Sequence, residues 1–456
     1  MKKFVLINVC LLFAAAGFAQ TTNQKLQKVF QQFESDEQLK HAISSLYVIN
    51  AQTGKVIFDK NSLIGLAPAS TQKIITSVTA FELLGKEFRY KTELGYKGTI
   101  KNNVLDGSIY LLGSGDPTLG SWRWSQTSDS FLLRHWVNEI KRLKIGRING
   151  SIVTNSSRFH YNAIPDGWIW QDIGNYYGAG SYPLNWKENQ YELRLKSENK
   201  IGGRVEVFKN GEPADLVNKL KAAAKGTGDN AFIYYNKSIS GTIPVGEKNF
   251  SVSGAMLDPG LEILNDLKFA LLAGSIQSQE PYISDDSTDM KGIKRIGIYY
   301  SPSLDSIIYW FNKKSINLYG EALIKTFAYE KDGFGSTEGG VAIVKDFWKQ
   351  KGLNEDELNI SDGSGLSPQN RVTTHAQVEI LKYARTKSWF PYFYNSLPQY
   401  NGMNMKSGTI KDVKGFCGYQ RAKDGTEYVF SFLVNNYNGP TAALVNKMYK
   451  VLDELK

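Results

Sequence analysis

The sequence predicts an α+β protein in which an antiparallel sheet is flanked by helices and interrupted by inserted, strand-rich domains. Two strand-like segments around a Gly turn lie near the start, at residues 46–50 and 55–59. Two more, at 416–421 and 428–434, flank a Lys-Asp-Gly turn near the end. Helical periodicity precedes this second pair, whereas short strands and Gly turns dominate residues 88–287. We therefore expect the first and last strands to share one sheet, which the middle block interrupts.

The first elements lead to a short motif at residues 70–73. Residues 24–40 have the periodicity of an amphipathic helix and precede the first strand pair. The apolar residues after the motif recur at the spacing of one helical face, and Gly85 follows where a helix would end. The sequence thus predicts Ser70 at the start of a buried helix, with Lys73 one turn further on and on the same face.

The middle block and the end of the chain differ in their predicted secondary structure. The middle block has one clear helical segment, at 130–143, and an aromatic cluster around Trp168. Residues 404–410 read as an extended stretch beside the terminal strand pair, where they would form an edge strand. The helices predicted after the middle block cover residues 304–310, 316–329, 341–351, 374–386 and 441–455.

The first twenty residues have the pattern of a secretory signal peptide. Lys2 and Lys3 precede an apolar stretch, and small residues precede a cleavage point near Gln20. We expect residues 1–19 to be removed on export. Only Cys417 would then remain, so no intramolecular disulfide would form. A large exported protein without disulfides is typical of the bacterial periplasm, where we expect this one to lie.

Charge and hydropathy exclude several classes of partner. The formal net charge of +10 would suit an anionic polymer such as peptidoglycan, and equally nucleic acid or acidic lipid. No basic run with interleaved aromatic residues is present, so we expect no nucleic-acid partner. No segment after the signal peptide is apolar over enough residues to cross a membrane, so we expect no integral membrane segment in the mature chain.

Three short motifs stand in a fixed order along the chain. They are S-x-x-K at 70–73, S-x-N at 315–317 and K-S-G at 406–408. Each is common by chance, but the second falls between two predicted helices and the third in a predicted edge strand. A loop and an edge strand are both able to line a cleft beside the Ser70 helix. A serine hydroxyl needs a base to become a nucleophile, and the nearest candidate is Lys73.

These residue types predict the parts of an acyl-transfer site. Ser70 would attack a carbonyl carbon, and Lys73 would take its proton if desolvation or neighbouring cations lower its pKa. Ser315 would relay a proton to the leaving amine, and Asn317 would orient Lys73 and the substrate. Backbone N–H groups of Ser70 and Thr409 would form the oxyanion hole. The residues expected to bind a terminal carboxylate and an extended peptide are Lys406, Ser407, Gly408 and Thr409.

A rival arrangement with histidine is not expected. The chain has four histidines, at 41, 135, 160 and 375, and none lies in the sequence context of a nucleophile's partner. A Ser-His-Asp triad and a His-rich metal site are therefore both disfavoured.

The three motifs resemble those of penicillin-binding proteins and serine β-lactamases. The chain as a whole resembles the D-alanyl-D-alanine carboxypeptidase/endopeptidase family, the low-molecular-mass class C penicillin-binding proteins (peptidase family S13). The long gap between Ser70 and Ser315 is characteristic of that family. Beyond the motifs, the likeness is carried by Gly115-Asp116-Pro117-Thr118-Leu119, by Gly167-Trp168 through Asp172, and by Asp362-Gly363-Ser364-Gly365-Leu366-Ser367.

The resemblance implies a penicillin-binding-protein/β-lactamase-like transpeptidase domain with two strand-rich domains inserted between the first two motifs. It implies a serine DD-peptidase that cleaves the D-Ala-D-Ala ends, and also the cross-links, of peptidoglycan stem peptides. The intermediate would be an acyl-enzyme on Ser70 that β-lactams also form, with no metal or cofactor. An acidic residue of the insert meets the free amine of the stem diamino acid in this family, and it matches Asp172. The implied divisions are a catalytic domain (20–90 and 288–456), domain II (91–190 and 253–287) and domain III (191–252).

The sequence departs from the family pattern at two positions, and two other functions stay open beside the leading one. Ser407 stands where many relatives have Thr, and Pro368 follows Gly-Leu-Ser where relatives commonly have Arg, which puts amine-side recognition in doubt. A serine β-lactamase or esterase is one alternative, although the long insert and the Ser315-x-Asn317 motif argue against it. A non-catalytic wall-binding protein with a relic cleft is the other, and the intact hydroxyls and lysines argue against that.

Overall fold

The structure, a computed structural model, describes residues 21–456, so the predicted signal peptide lies outside the described residues. None of the helices in the described part of the chain has both the length and the apolar character needed to cross a bilayer. The helices are α1 (Thr22–Glu34), α2 (Lys73–Leu83), α3 (Asp129–Arg142), α4 (Trp170–Ile173), α5 (Pro259–Ala273), α6 (Leu304–Lys314), α7 (Asn317–Asp332), α8 (Thr337–Gln350), α9 (Thr374–Arg385), α10 (Phe390–Ser396) and α11 (Thr441–Leu452).

The strands are distributed over the whole described chain. They are β1 (Ile43–Asn50), β2 (Val56–Lys60), β3 (Lys91–Lys101), β4 (Val104–Gly113), β5 (Arg147–Ile148), β6 (Ile152–Asn155), β7 (Gln190–Ser197), β8 (Val205–Lys209), β9 (Glu212–Pro213), β10 (Val217–Ala223), β11 (Asn230–Tyr234), β12 (Ser238–Pro244), β13 (Phe250–Ala255), β14 (Tyr282–Ser284), β15 (Lys294–Tyr300), β16 (Leu358–Asn359), β17 (Arg371–Val372), β18 (Gln399–Tyr400), β19 (Met403–Ile410), β20 (Val413–Arg421) and β21 (Glu427–Asn435).

The main sheet joins the two ends of the described chain. Its strand order is β18-β19-β20-β21-β1-β2, and every neighbouring pair is antiparallel. β1 pairs with β21 along its whole length, with Leu46 opposite Phe432. The predicted fold class, an antiparallel sheet flanked by helices with strand-rich insertions, is therefore confirmed.

Both faces of this sheet are covered, which explains why β1 is buried almost throughout. Side chains alternate between the two faces of a strand. Leu46 and Val48 pack into a core with α1 and α11, whereas Tyr47 and Ile49 pack into a core with α2, α6, α7 and α9. The second core holds the start of α2, and it thereby fixes the segment that carries Ser70.

The middle of the chain forms three further sheets. Their orders are β14-β6-β4-β3-β15 with β5 beside β4, then β13-β7-β8-β9, then β10-β12-β11. Helices α3 and α5 pack against the first of them, in a core that includes Leu132 and Ile263. The boundaries given above for two inserted domains stay a prediction.

Several helices differ from the sequence-based expectation, among them the first helix and α5. The first helix ends at Glu34, six residues early, because Asp36 caps a separate short turn at Glu37–Leu39. Helix α5 was not predicted, although Asp258 accepts a hydrogen bond from Leu261 N–H as its N-cap and Pro259 occupies its first turn. An N-cap Asp followed by Pro is a pattern from which the start of a helix can be predicted in the sequence.

Candidate active site

Ser70 lies in a tight turn that precedes the helix rather than in the helix itself. Residues Ala69–Gln72 form a 3-10 turn, and α2 begins at Lys73. Ala69 has a φ of +46°, a left-handed conformation that is uncommon for a residue with a Cβ. Gly365 packs directly behind it, since a Cβ there would lie 1.9 Å from the Ala69 carbonyl oxygen. The turn leaves Ser70 half-buried while the residues that follow it are buried.

The side chain of Lys73 is fully buried and contacts the Ser70 hydroxyl, as predicted from their spacing. Lys73 Nζ lies 2.9 Å from Ser70 Oγ. It donates to Asn317 Oδ1 at 2.7 Å and to the backbone carbonyl of Ser364 at 2.7 Å. The first and second motifs therefore meet at one nitrogen atom.

The surroundings of Lys73 favour its uncharged form. Burial lowers the pKa of Lys73 well below its ordinary value, and the positive charge of Lys406 lowers it further. The carboxyl groups of Asp362 and Glu321 act in the opposite direction. A lysine with a lowered pKa is able to accept a proton near neutral pH.

The second motif lies on the link between α6 and α7. Ser315 ends α6 in a left-handed conformation, with a φ of 56°, and α7 begins two residues later at Asn317. Asn317 Nδ2 donates to the backbone carbonyl of Tyr177 at 2.8 Å. Because its nitrogen is engaged there, the oxygen of the amide is the atom that faces Lys73.

Lys406 repeats the Lys73 arrangement at the second serine of the site, Ser315. It is buried in β19, and its Nζ donates to Ser315 Oγ at 2.9 Å and to the Ser407 carbonyl at 2.9 Å. Burial lowers the pKa of Lys406 to about 7, and Cys417 on the neighbouring strand acts in the opposite direction. Two buried lysines are thus each within hydrogen-bond distance of a serine hydroxyl.

Strand β19 presents a partly free edge beside Ser70. β20 pairs with it from Asn404 to Ile410, whereas β18 pairs only with its first two residues. Gly408 allows the strand to approach closely, because a Cβ there would lie 2.5 Å from the Pro68 carbonyl and 2.9 Å from Ser70 N. Thr409 follows at the exposed end, and its Oγ1 accepts a hydrogen bond from Lys414 Nζ at 2.8 Å.

A cleft of about 550 Å³ opens above these groups. Of the predicted site residues, its wall includes Ser70, Asp172, Ser315, Asn317 and Thr409. The buried Lys73 and Lys406, together with Ser407 and Gly408, are not part of this wall. Eight of the nine predicted residues thus cluster around the Ser70 turn, and Asp172 faces the same cleft from the insert.

Asp172 lies on the short helix α4. Burial raises the pKa of this half-buried carboxyl, and the Tyr177 hydroxyl beside it acts in the opposite direction. The helix is anchored on β11, because Asn175 Oδ1 accepts a hydrogen bond from Ile233 N–H at 3.0 Å. A Cβ at Gly174 would lie 2.1 Å from the Ile233 carbonyl, so the contact is direct backbone packing.

The loop at residues 362–367 is a part of the site to which the sequence assigned no role. Its Ser364 carbonyl is the third partner of Lys73. The buried Asp362 carboxylate organises the loop by accepting five hydrogen bonds, from Gln72 Nε2, Gly365 N, Ser367 N, Asn370 Nδ2 and Trp168 Nε1. The Asp-Gly-Ser-Gly sequence marks a tight loop, but a contact made through a backbone carbonyl leaves no signal in the side chains.

Comparisons with known proteins agree with this architecture. Residues 23–454 match the model of the D-Ala-D-Ala carboxypeptidase 3 (S13) family. A D-alanyl-D-alanine carboxypeptidase of Actinomadura sp. is 24% identical over 96% of this chain and 87% of its own length. The carboxypeptidase DacB of Haemophilus influenzae is 22% identical over 85% of this chain and 84% of its own length.

The fold is similar to that of a solved member of this group. The crystal structure of penicillin-binding protein 4 (dacB) from H. influenzae superposes with a TM-score of 0.79 at 21% identity, covering 94% of this chain and 98% of that one. The same protein in complex with a β-lactam gives a TM-score of 0.73 at 20% identity, covering 94% and 99%. With nearly all of its residues matched by the family model, the chain belongs to the D-Ala-D-Ala carboxypeptidase 3 (S13) family.

Proposed function

We propose that this protein is a serine DD-peptidase that hydrolyses the D-Ala-D-Ala ends of peptidoglycan stem peptides through an acyl-enzyme on Ser70. Membership of the S13 family supports carboxypeptidase activity. The observation that carries the serine mechanism is the 2.9 Å contact between Ser70 Oγ and the buried Nζ of Lys73.

The hydrogen bonds of Lys73 support its role as the general base. Two of its three partners, Asn317 Oδ1 and the Ser364 carbonyl, are acceptors only. A neutral amine has two N–H bonds, and these two oxygens engage both. Its lone pair is then left for the hydroxyl hydrogen of Ser70. As Ser70 attacks, the proton moves to Nζ, and the resulting ammonium donates to all three oxygens.

The developing oxyanion would be held by backbone N–H groups of Ser70 and Thr409. The close approach of β19 to the Ser70 turn at Gly408 supports this pairing. Losing one such donor typically costs about 3–4 kcal/mol in the transition state. The substrate would lie along the free edge of β19 as an added strand, which uses the backbone groups that β20 leaves unpaired.

Ser315 and Lys406 would return a proton to the leaving amine. Ser315 Oγ faces the cleft and accepts a hydrogen bond from Lys406 Nζ. The hydroxyl would donate its hydrogen to the departing D-Ala nitrogen and take one from Lys406. A pKa of about 7 suits Lys406 to such a transfer near neutral pH.

The terminal carboxylate of the substrate would bind beside the third motif. Lys406, Ser407 and Thr409 supply donors there, and Lys414 adds a second cation through its hydrogen bond to Thr409 Oγ1. Across the cleft, Asp172 would bind the free amine of the stem diamino acid. Such a stem is also present in cross-links, so the same acyl transfer would open them as an endopeptidase.

We propose that the protein acts in the periplasm after removal of residues 1–19. Its catalytic domain would comprise residues 20–90 and 288–456, domain II residues 91–190 and 253–287, and domain III residues 191–252. β-Lactams would acylate Ser70 as substrate analogues. The complex of the H. influenzae protein with a β-lactam supports this.

The direct test of this function is hydrolysis of defined substrates. The mature protein is incubated with a diaminopimelate-containing pentapeptide and with cross-linked muropeptides, and the masses of the products are measured by mass spectrometry. We expect loss of one D-Ala from the pentapeptide and conversion of dimers to monomers. Rapid turnover of nitrocefin without either peptide product would instead identify a β-lactamase. Binding without any product would identify a wall-binding protein.

Replacing Asp172 tests the amine site separately from the chemistry. We expect Asp172→Asn to lower kcat/KM for the diaminopimelate pentapeptide by about 10–100-fold, since a charge-assisted hydrogen bond to the amine is worth roughly 1.5–3 kcal/mol. Acylation by penicillin, which lacks that amine, should change less than about threefold. A pentapeptide with its side-chain amine acetylated is the matched control. If the variant discriminates the two peptides as the wild type does, Asp172 does not bind the amine.

A further inference from the structure

Glu321 lies on the face of α7 that begins with Asn317. Asn317, Glu321 and Lys325 are spaced four residues apart, so they lie one above the other on the helix, and all three are buried. Asn317 contacts Lys73, and Lys325 donates to three backbone carbonyls of the insert, at residues 162, 163 and 181. Glu321 lies between these two contacts, one turn from Asn317.

One oxygen of Glu321 holds the loop that carries Ser364. Glu321 Oε2 accepts a hydrogen bond from Gly363 N–H at 3.1 Å. The backbones touch at this point, since a Cβ at Gly363 would lie 2.2 Å from the Gly320 carbonyl. The Ser70 segment contacts the same loop through four hydrogen bonds. Gln72 Nε2 donates to Asp362 O (2.6 Å) and Oδ1 (3.0 Å), Thr76 Oγ1 to Gly363 O (2.7 Å) and Lys73 Nζ to Ser364 O (2.7 Å). Glu321 thus holds the Asp362–Gly363 peptide, two peptide units before the Ser364 carbonyl that orients Lys73.

The other oxygen of Glu321 is buried and has no hydrogen-bond partner within residues 21–456. A carboxylate with so few donors is poorly stabilised away from water, whereas Asp362 in the same loop accepts five hydrogen bonds. Burial and the charge of Asp362 raise the pKa of Glu321 to about 8, although the Ser364 hydroxyl, the Gly363 N–H and the charge of Lys73 act in the opposite direction. The charged groups around it are Asp362 from the loop, Lys73 from α2 and Lys325 from the next turn of α7.

We propose that Glu321 is a positioning residue for Lys73 and that it acts in its protonated form. This inference rests on the proposed function, because it takes Lys73 to be the base. Neutral Glu321 holds the loop so that the Ser364 carbonyl stays on Nζ, and it adds no second negative charge beside the amine. An ionised Glu321 would favour the ammonium form of Lys73, which has no lone pair for the Ser70 hydrogen.

The test compares Glu321→Gln and Glu321→Ala with the wild type by the rate of acylation with a fluorescent penicillin from pH 6 to 9.5. Gln keeps the acceptor for Gly363 N–H and cannot ionise, whereas Ala removes that acceptor. We expect the Gln variant to react within about threefold of the wild type at pH 6.5. Its rate relative to the wild type should then rise at least about threefold by pH 9.5, because only the wild type gains a charge. Groups that titrate in both proteins, such as Lys406, cancel in this ratio.

The Ala variant should acylate at least about tenfold more slowly at every pH, and the thermal unfolding of each variant shows whether it is folded. A ratio for the folded Gln variant that stays constant with pH would reduce Glu321 to a structural contact and overturn the inference. Loss of acylation by that variant at pH 6.5 would also overturn it, because Glu321 would then be needed as an anion. If the Ala variant does not fold, the pH dependence of the acylation rate of the Gln variant relative to the wild type is sufficient to test the inference. Labelling of a Ser70→Ala protein in the same assay would instead overturn the proposed function.

Discussion

A Ser70→Ala variant should fold like the wild type and lose covalent labelling by fluorescent penicillin completely. The substitution removes only the oxygen that forms the ester in the proposed mechanism, from a half-buried position at the edge of a cleft. Hydrolysis of the pentapeptide should fall by about 10⁴-fold or more, because removal of a nucleophile leaves only binding and oxyanion stabilisation. Labelling is measured by gel fluorescence and by the mass of the intact protein.

Ser287→Ala is the matched control for this experiment. Ser287 is exposed on the insert, and we expect that variant to label at the wild-type rate. Labelling of the Ser70→Ala protein at the wild-type rate would assign the nucleophile to another residue, and mapping the labelled peptide would identify it.

Replacement of Lys73 by Met should give the second-largest effect. Met fills much of the same volume but accepts no proton, so acylation should slow by about 10²–10⁴-fold, the range of general base catalysis. The variant should also be less stable, because Asn317 Oδ1 and the Ser364 carbonyl lose a buried donor. An unsatisfied group of this kind costs about 1–3 kcal/mol. Stopped-flow acylation and thermal unfolding measure the two effects separately.

Lys325→Met separates catalysis from the loss of a buried lysine. Lys325 is as deeply buried as Lys73, but its three hydrogen bonds go to carbonyls of the insert and none goes to Ser70. We expect a comparable loss of stability with acylation within about fivefold of the wild type. If both variants slow acylation to the same extent, the effect of Lys73 comes from packing, and another group is the base.

The sequence predicts those parts of the site whose chemistry lies in side chains at fixed spacing. Ser70 and Lys73 lie three residues apart, so local geometry alone brings them together. Ser315 and Lys406 could be paired only through the order of the motifs, because 91 residues separate them. The predicted start of α2 at Ser70 is three residues early, because no sequence pattern indicates the left-handed backbone at Ala69.

The remaining groups of the site could not be predicted from the sequence, for two physical reasons. The carbonyls of Tyr177 and Ser364 are backbone atoms, and any residue type at those positions would supply them. Glu321 was overlooked because an acidic residue in a helix usually faces solvent. Its spacing of four residues from Asn317 was visible in the sequence, but the burial of the whole helix depends on contacts with distant segments.

The Tyr177 carbonyl makes the insert part of the proposed catalytic site. It orients the Asn317 amide across 140 residues of chain, while Trp168 and Lys325 join the same insert to the loop and to α7. Excising the insert to obtain a compact enzyme would leave the Asn317 amide free to rotate. It would also expose to solvent the part of α7 that contacts the insert. The inserted region and the three motifs therefore form one interdependent unit rather than separable modules.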